Sequence, residues 1–146
     1  MDLKFGIIQQ TVFFEASPED VYEALLDPRK HSAFTGRPAT TSDRAGYAFM
    51  ATDGYITDRN LELVRGKKIV QEWRTTEFPK EYPMSRLELT LTAKRGGTEM
   101  RMIQTKIPAD QVASYTDGGK SYYWEPLKEY LAAEARKKRA KASKKK

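Results

Sequence analysis

Residues 53–74 read Asp53-Gly54-Tyr55-Ile56-Thr57-Asp58-Arg59-Asn60-Leu61-Glu62-Leu63-Val64-Arg65-Gly66-Lys67-Lys68-Ile69-Val70-Gln71-Glu72-Trp73-Arg74, and this pattern decides the fold. Asp53-Gly54 can supply the positive φ angles that a tight hairpin turn demands. Arg65-Gly66-Lys67 marks a second reversal. Two strand-like runs lie between and after these turns, and the second ends in the large ring of Trp73. The stretch therefore reads as a meander of short antiparallel strands carrying bulky inward groups.

Working outward, residues 4–14 form a first strand. Phe5, Ile7 and Phe13 share one face, while Ile8, Val12 and Phe14 share the other. Apolar groups on both faces predict a strand covered on both sides for part of its length. Ser17-Pro18-Glu19-Asp20 then opens a helix with a capping hydroxyl and a proline at the first helical position. Val21, Ala24 and Leu25 form its buried stripe. Asp27-Pro28 ends that helix and starts a second, short one, running through Phe34 and closed by Gly36. Strands are expected at 38–42, 46–52, 55–64, 68–76, 85–94 and 98–107, with Gly96-Gly97 turning the last pair. Leu87, Leu89 and Leu91 alternate with Arg86, Glu88 and Thr90, as in a sheet with one solvated face. Residues 77–84 and 108–119, marked by proline and glycine, read as longer loops. From Lys120 a helical stripe of Tyr123, Leu127, Tyr130 and Leu131 takes over, with Pro126 predicting a late start or a kink.

Composition narrows the classes of function. With 146 residues one domain is expected, spanning 1–135, followed by a basic tail at 136–146 that frays into solvent. The chain has no cysteine, which excludes disulfides, thiolate chemistry and thiolate zinc sites. No run approaches the roughly 18 apolar residues of a membrane span, and Met1-Asp2-Leu3-Lys4-Phe5 lacks the design of a signal peptide. A soluble, cytoplasmic protein is the simplest expectation. The net charge of +6 is concentrated in the tail: removing its eight basic residues from 26 leaves 18 against 20 acidic ones. The body is thus slightly acidic, which argues against a nucleic-acid surface on the domain. Contact with nucleic acid or acidic lipid is expected only through the tail. The favoured reading of that tail is a solubilising extension, since no aromatic is interleaved for base stacking.

The order of strand, two short helices, six strands and a long C-terminal helix resembles the helix-grip order of START-like domains of the SRPBCC superfamily. That is an α+β fold in which a curved antiparallel sheet wraps a terminal helix. One branch is closer still. Residues 17–28, Ala33-Phe34-Thr35-Gly36, Asp53-Gly54-Tyr55-Ile56, Asn60-Leu61-Glu62-Leu63-Val64, Lys68-Ile69-Val70-Gln71-Glu72-Trp73-Arg74 and residues 123–131 resemble, in order, homologues of the C-terminal domain of the heat-shock protein 90 ATPase activator. The family's glycine pair before the third strand is replaced by Ala45-Gly46-Tyr47. The first strand begins almost at Met1, so the separate N-terminal domain of the eukaryotic co-chaperone is not expected here. The resemblance implies the fold and points to a heat-shock protein 90-type chaperone as a partner.

For chemistry, the lone His31 sits in the polar helical segment Arg29-Lys30-His31-Ser32 and reads as exposed or half-exposed, without the convergent partners that catalysis or a metal would need. No serine-nucleophile or phosphate-loop motif occurs, and no metal, cofactor or catalytic residue is expected. Glu72 and Arg74 share a strand face and are expected to pair with a neighbouring strand. The aromatic residues carry the stronger signal. Tyr47, Phe49, Tyr55, Trp73, Phe78, Tyr82, Tyr123 and Trp124, together with Gln71, Leu89 and Leu127, are the candidate lining of a ligand cavity between sheet and C-terminal helix, entered near 77–84 and 108–119. Core filling by the same rings is the competing reading, and Trp73 and Trp124 are expected to seal sheet against helix. The function expected is non-enzymatic binding of a small hydrophobic ligand. A chaperone-interacting protein and a polyketide cyclase-like enzyme are the alternatives, the last requiring a buried, pKa-shifted carboxyl or histidine in the cavity.

Overall fold

The computed structural model describes residues 3–36, 40, 44, 46, 48–51 and 55–144, the side chains of 48–51, 122 and 142–144 excepted. The turn at Asp53-Gly54 and, apart from Thr40, the strand expected at 38–42 lie outside the described residues. Six strands, β1 (Phe5–Phe14), β2 (Ala48–Ala51), β3 (Ile56–Val64), β4 (Lys68–Thr75), β5 (Ser85–Lys94) and β6 (Gly97–Pro108), form one antiparallel sheet in the order β1-β6-β5-β4-β3-β2. The helices are α1 (Pro18–Leu26), α2 (Pro28–Thr35), α3 (Val112–Gly119) and α4 (Glu125–Lys144). The architecture is the α+β helix-grip fold, a curved sheet closed over a long C-terminal helix.

Local chemistry accounts for the helix ends. The Ser17 hydroxyl accepts from the Asp20 amide at 3.1 Å, and the Asp27 carboxylate accepts from Arg29 and Lys30 at 2.9 and 3.2 Å. Each cap satisfies first-turn amides that a helix leaves unpaired. Asp27 thus ends α1 and caps α2, and Pro28 fits the first position of α2 because its missing N–H costs nothing there.

Along β1 the two faces of the sheet differ in cover. Ile8, Val12 and Phe14 of β1 are buried, whereas Phe5, Ile7 and Phe13 are 44, 58 and 43% exposed. This corrects the expectation of cover on both sides: the buried apolar residues of β1 lie on one side of the alternation, and the apolar residues on the other side are exposed. The β5–β6 turn also shifts by one residue. Its centre is Arg95-Gly96, with φ of 39° and 77°, and Lys94 pairs with Gly97. Gly97 belongs to the strand, where a side chain would collide with the Phe14 carbonyl oxygen.

Residues 108–119, expected as a loop, are helical: a 3-10 turn at Ala109–Gln111 leads into α3. Gly118 and Gly119 each cost about 1 kcal/mol in a helix relative to alanine. Docking offsets that cost. Val112 and Tyr115 pack against the core, and a Cβ on Gly6 would stand 2.5 Å from Val112 Cγ2, so glycine there allows α3 to lie against β1. Between α3 and α4, residues Lys120–Trp124 form a π-helical turn. It ends two residues before Pro126, whose ring and missing N–H would otherwise conflict with the preceding α turn. A wide turn thus accommodates the proline. Helix α4 buries Leu127 and Leu131 and runs from Glu125 to Lys144.

Candidate functional site

A cavity of about 470 Å³ lies between the inner sheet face and the helices. Four strands build its floor: Ile56 and Asp58 from β3, Ile69, Gln71 and Trp73 from β4, Leu87 and Leu89 from β5, Met102 and Gln104 from β6. Leu25 closes one side with His31 and Thr35 of α2. Tyr123 and Trp124 of the π turn close another, and Ser114, Tyr115, Gly118 and Gly119 of α3 form the outermost wall. Ser114 is exposed and the two glycines are half-buried, which puts the mouth beside α3.

A bulge in β3 decides which polar groups face inward. The β3–β4 register slips between Asn60 and Glu62, leaving Leu61 as the extra residue. Asp58 and Asn60 therefore point inward on one side of the bulge and Leu63 packs on the core on the other. Asn60 Oδ1 accepts from Gln71 Nε2 at 2.8 Å, and Gln104 Nε2 donates to Ser85 Oγ at 3.1 Å. The Tyr115 hydroxyl lies 2.6 Å from Thr75 Oγ1 and donates to Gln111 Oε1 at 2.6 Å. Burial pushes the Tyr115 phenol up.

Asp58 is different. It is 4% exposed, its Oδ1 accepts no hydrogen bond, and burial holds its carboxyl well above the usual carboxylate range. An unpartnered buried polar atom is costly and rare. His31 is the second surprise. Expected at the surface, it is buried, with Nδ1 at 3.0 Å from the Leu25 carbonyl and Nε2 at 3.5 Å from the Tyr123 hydroxyl. Its ring packs between Phe34 and Tyr123, with centroids 5.0 and 5.5 Å away. Desolvation lowers its pKa, the Leu25 hydrogen bond opposing that shift. The reason is tertiary: α2 lies against α4 and the π turn, which a helix of mostly polar residues does not announce.

Of the residues expected to line a cavity, Tyr55, Gln71, Trp73, Leu89, Tyr123 and Trp124 do so. Phe78 is buried outside it, behind Trp73 and Tyr115 at 6.0 Å from each ring. Tyr82 packs edge-on against Phe5 at 5.6 Å. Both departures follow from the 76–84 segment folding back on Arg74, which donates to the carbonyls of Tyr82, Phe78 and Pro79 at 3.0, 3.3 and 3.4 Å. Arg74 thus clamps a loop instead of joining Glu72 in a cross-strand pair. Leu127 is fully buried in the core beyond the cavity. The side chains of Tyr47 and Phe49 lie outside the described residues. Trp124 is buried and Trp73 half-buried. Among the described residues no group of three or more His, Asp or Glu could hold a metal ion.

The sequence matches the family model described as activator of Hsp90 ATPase homolog 1-like protein over residues 15–132. It is 32% identical over 123 residues to the human activator of 90 kDa heat shock protein ATPase homolog 1, covering 84% of this chain and 36% of that protein. A relative from Dictyostelium discoideum with a corresponding name is 32% identical over 110 residues, 73% of this chain and 28% of that one. The chain therefore spans about a third of the length of the curated relatives it matches. Among solved structures, an HSP90 activator from Plasmodium falciparum superposes with a TM-score of 0.72 at 20% identity, covering 81% of this chain and 89% of that one. The Aha1 dimer from Colwellia psychrerythraea gives 0.74 at 16% identity, covering 86% and 96%. The family match takes in both short helices, every strand from β2 to β6 and the start of α4, and on that breadth the chain belongs to the family of activator of Hsp90 ATPase homolog 1-like proteins.

Proposed function

We propose that this protein binds a small hydrophobic or amphipathic ligand between the sheet and the C-terminal helix. The observation that carries this reading is the cavity itself. Well-packed interiors leave few voids larger than a water molecule, and about 470 Å³ falls within the range of small-molecule sites. Its walls are mainly aliphatic and aromatic, with a few fixed polar groups to orient a guest. Trp73 and Trp124 both face it, so a ligand entering should change the intrinsic fluorescence. The test is a screen of fatty acids, flavonoids and sterols, read by thermal shift and tryptophan emission. A saturable rise in melting temperature supports the reading. Failure of every class to move either signal overturns it.

A second reading is favoured by a different observation. The exposed face of the sheet carries Ile7 and Phe13 of β1 and Ile103 of β6, an apolar row of the kind that marks interaction sites. The named relatives are activators of a heat-shock protein ATPase, and a chaperone of that class is the corresponding partner for this face. A pull-down and an ATPase assay with the host chaperone test it. Stimulation that Ile7→Ser and Phe13→Ser abolish supports it, and an ATPase rate unaffected by saturating protein overturns it.

A further inference from the structure

We infer that the cavity selects small amphipathic amines, with the ammonium group held by Asp58 and the apolar body lying between the aromatic walls. This deepens the ligand-binding reading and rests on it. Asp58 Oδ1 is buried against the cavity and accepts nothing. No lysine or arginine lies among the described lining residues, so the wall supplies no cation of its own. The titratable groups that share the space are His31 from α2, Tyr55 before β3, Tyr115 from α3 and Tyr123 from the π turn. The side chains of β2, the other neighbour of β3, lie outside the described residues.

Asp58 is also placed beside an aromatic corner. Its register partner across the β3–β4 ladder is Trp73. The Trp73 ring meets Tyr115 at 5.2 Å and 85°. Ring faces attract cations, more so when desolvated. A carboxyl group and aromatic faces in one apolar space, without a fixed positive charge, therefore favour a guest that carries the charge in. A carboxylate guest would place a second acid beside Asp58 and gain no counter-ion. An alcohol would gain one neutral hydrogen bond.

Binding has a proton balance. The ammonium ion arrives charged, whereas burial raises the Asp58 carboxyl and so favours its protonated form. Where Asp58 holds a proton, pairing breaks its O–H bond, the proton passes to solvent, and the carboxylate accepts from the ammonium N–H. Amine binding should release a proton, and alcohol binding should release none.

Calorimetry with phenylbutylamine, phenylbutanol and phenylbutyrate tests this, because the three share one apolar body. The wild-type chain should bind the amine at least about ten-fold more tightly than the other two, the margin of a charge-assisted over a neutral hydrogen bond. Titration in two buffers of different ionisation heat should show the proton released by the amine alone. Asp58→Asn, nearly isosteric, should erase the amine preference while still binding the alcohol. Equal binding of amine and alcohol by the wild type, tighter binding of the acid, or an amine preference that survives in Asp58→Asn overturns the amine assignment but leaves the ligand-binding reading standing. Binding of none of the three overturns the amine assignment, and the fatty acid, flavonoid and sterol screen then decides the ligand-binding reading.

Discussion

Trp124 donates its indole N–H to Gln10 Oε1 at 2.8 Å, and Gln10 Nε2 donates onward to the Thr116 carbonyl at 3.3 Å. One glutamine on β1 thereby ties both helical walls of the cavity to the sheet. Trp124→Phe keeps most of the ring but removes the donor, leaving a half-buried acceptor unpaired. The expected cost is about 1–2 kcal/mol in urea unfolding. A change in midpoint too small to resolve would show that the bond contributes nothing.

Trp73 packs edge-on against Phe78 and Tyr115 while also facing the cavity. Trp73→Ala should enlarge the void and destabilise by about 3 kcal/mol, the low end for aromatic truncation because the ring is half-buried. Thermal denaturation reads the result. A melting temperature equal to the wild type's would identify a ring held for function alone.

Met102 lines the cavity floor from β6 and is buried. Met102→Phe should fill part of the free space, raise stability by about 0.5–2 kcal/mol as cavity-filling changes do, and weaken binding of ligands that reach the cavity floor. Stability and binding are expected to move in opposite directions, which a thermal-shift titration measures on one sample.

His31 and Asp58 predict opposite pH responses. An unfolded imidazole titrates near 6.5 and burial lowers the folded value. Between those values the unfolded chain binds the extra proton, so the His31 contribution is complete above about 6.5 and is lost as pH falls through the folded value. For Asp58 the unfolded value is 3.8 and the folded one is raised. Here the folded chain holds the proton, so the contribution is complete below 3.8 and is lost as pH rises through the folded value. Urea midpoints from pH 3 to 8 should show Asp58→Asn gaining on the wild type as pH rises, and His31→Gln losing the decline below about 6.5.

Arg74 gathers three carbonyls of the 76–84 segment and lies over the Phe78 ring at 5.4 Å. Lysine keeps the charge but lacks the planar fork. Arg74→Lys should therefore speed amide exchange across 76–84 with little change at β5. Unchanged exchange would mean that Phe78 packing alone holds the loop.

The sequence made the capped helices, the Arg65-Gly66-Lys67 turn and the β5 alternation legible because each rests on local chemistry: a hydroxyl before a proline, a glycine between strands, leucines at every second position. The two buried ionisable residues were not legible for an equally physical reason. Plain alternation through β3 would send Leu61 and Leu63 inward and Asp58 outward. The extra residue at Leu61 reverses that parity, and nothing in the composition of the strand marks it. His31 is buried by an inter-helix contact that a polar eight-residue segment does not encode. Helix α3 was hidden by Gly118-Gly119, whose intrinsic preference is overridden by docking on Gly6.

The wide turn at Lys120–Trp124 acts as a phase-setter for everything after it. A π turn is in effect an α-helix carrying one additional residue, and each α-helical residue advances the helix by about 100°. Winding the same residues as regular α-helix instead would rotate Leu127 and Leu131 by about that angle, away from the sheet. The rod that closes the fold owes its orientation to one surplus amino acid.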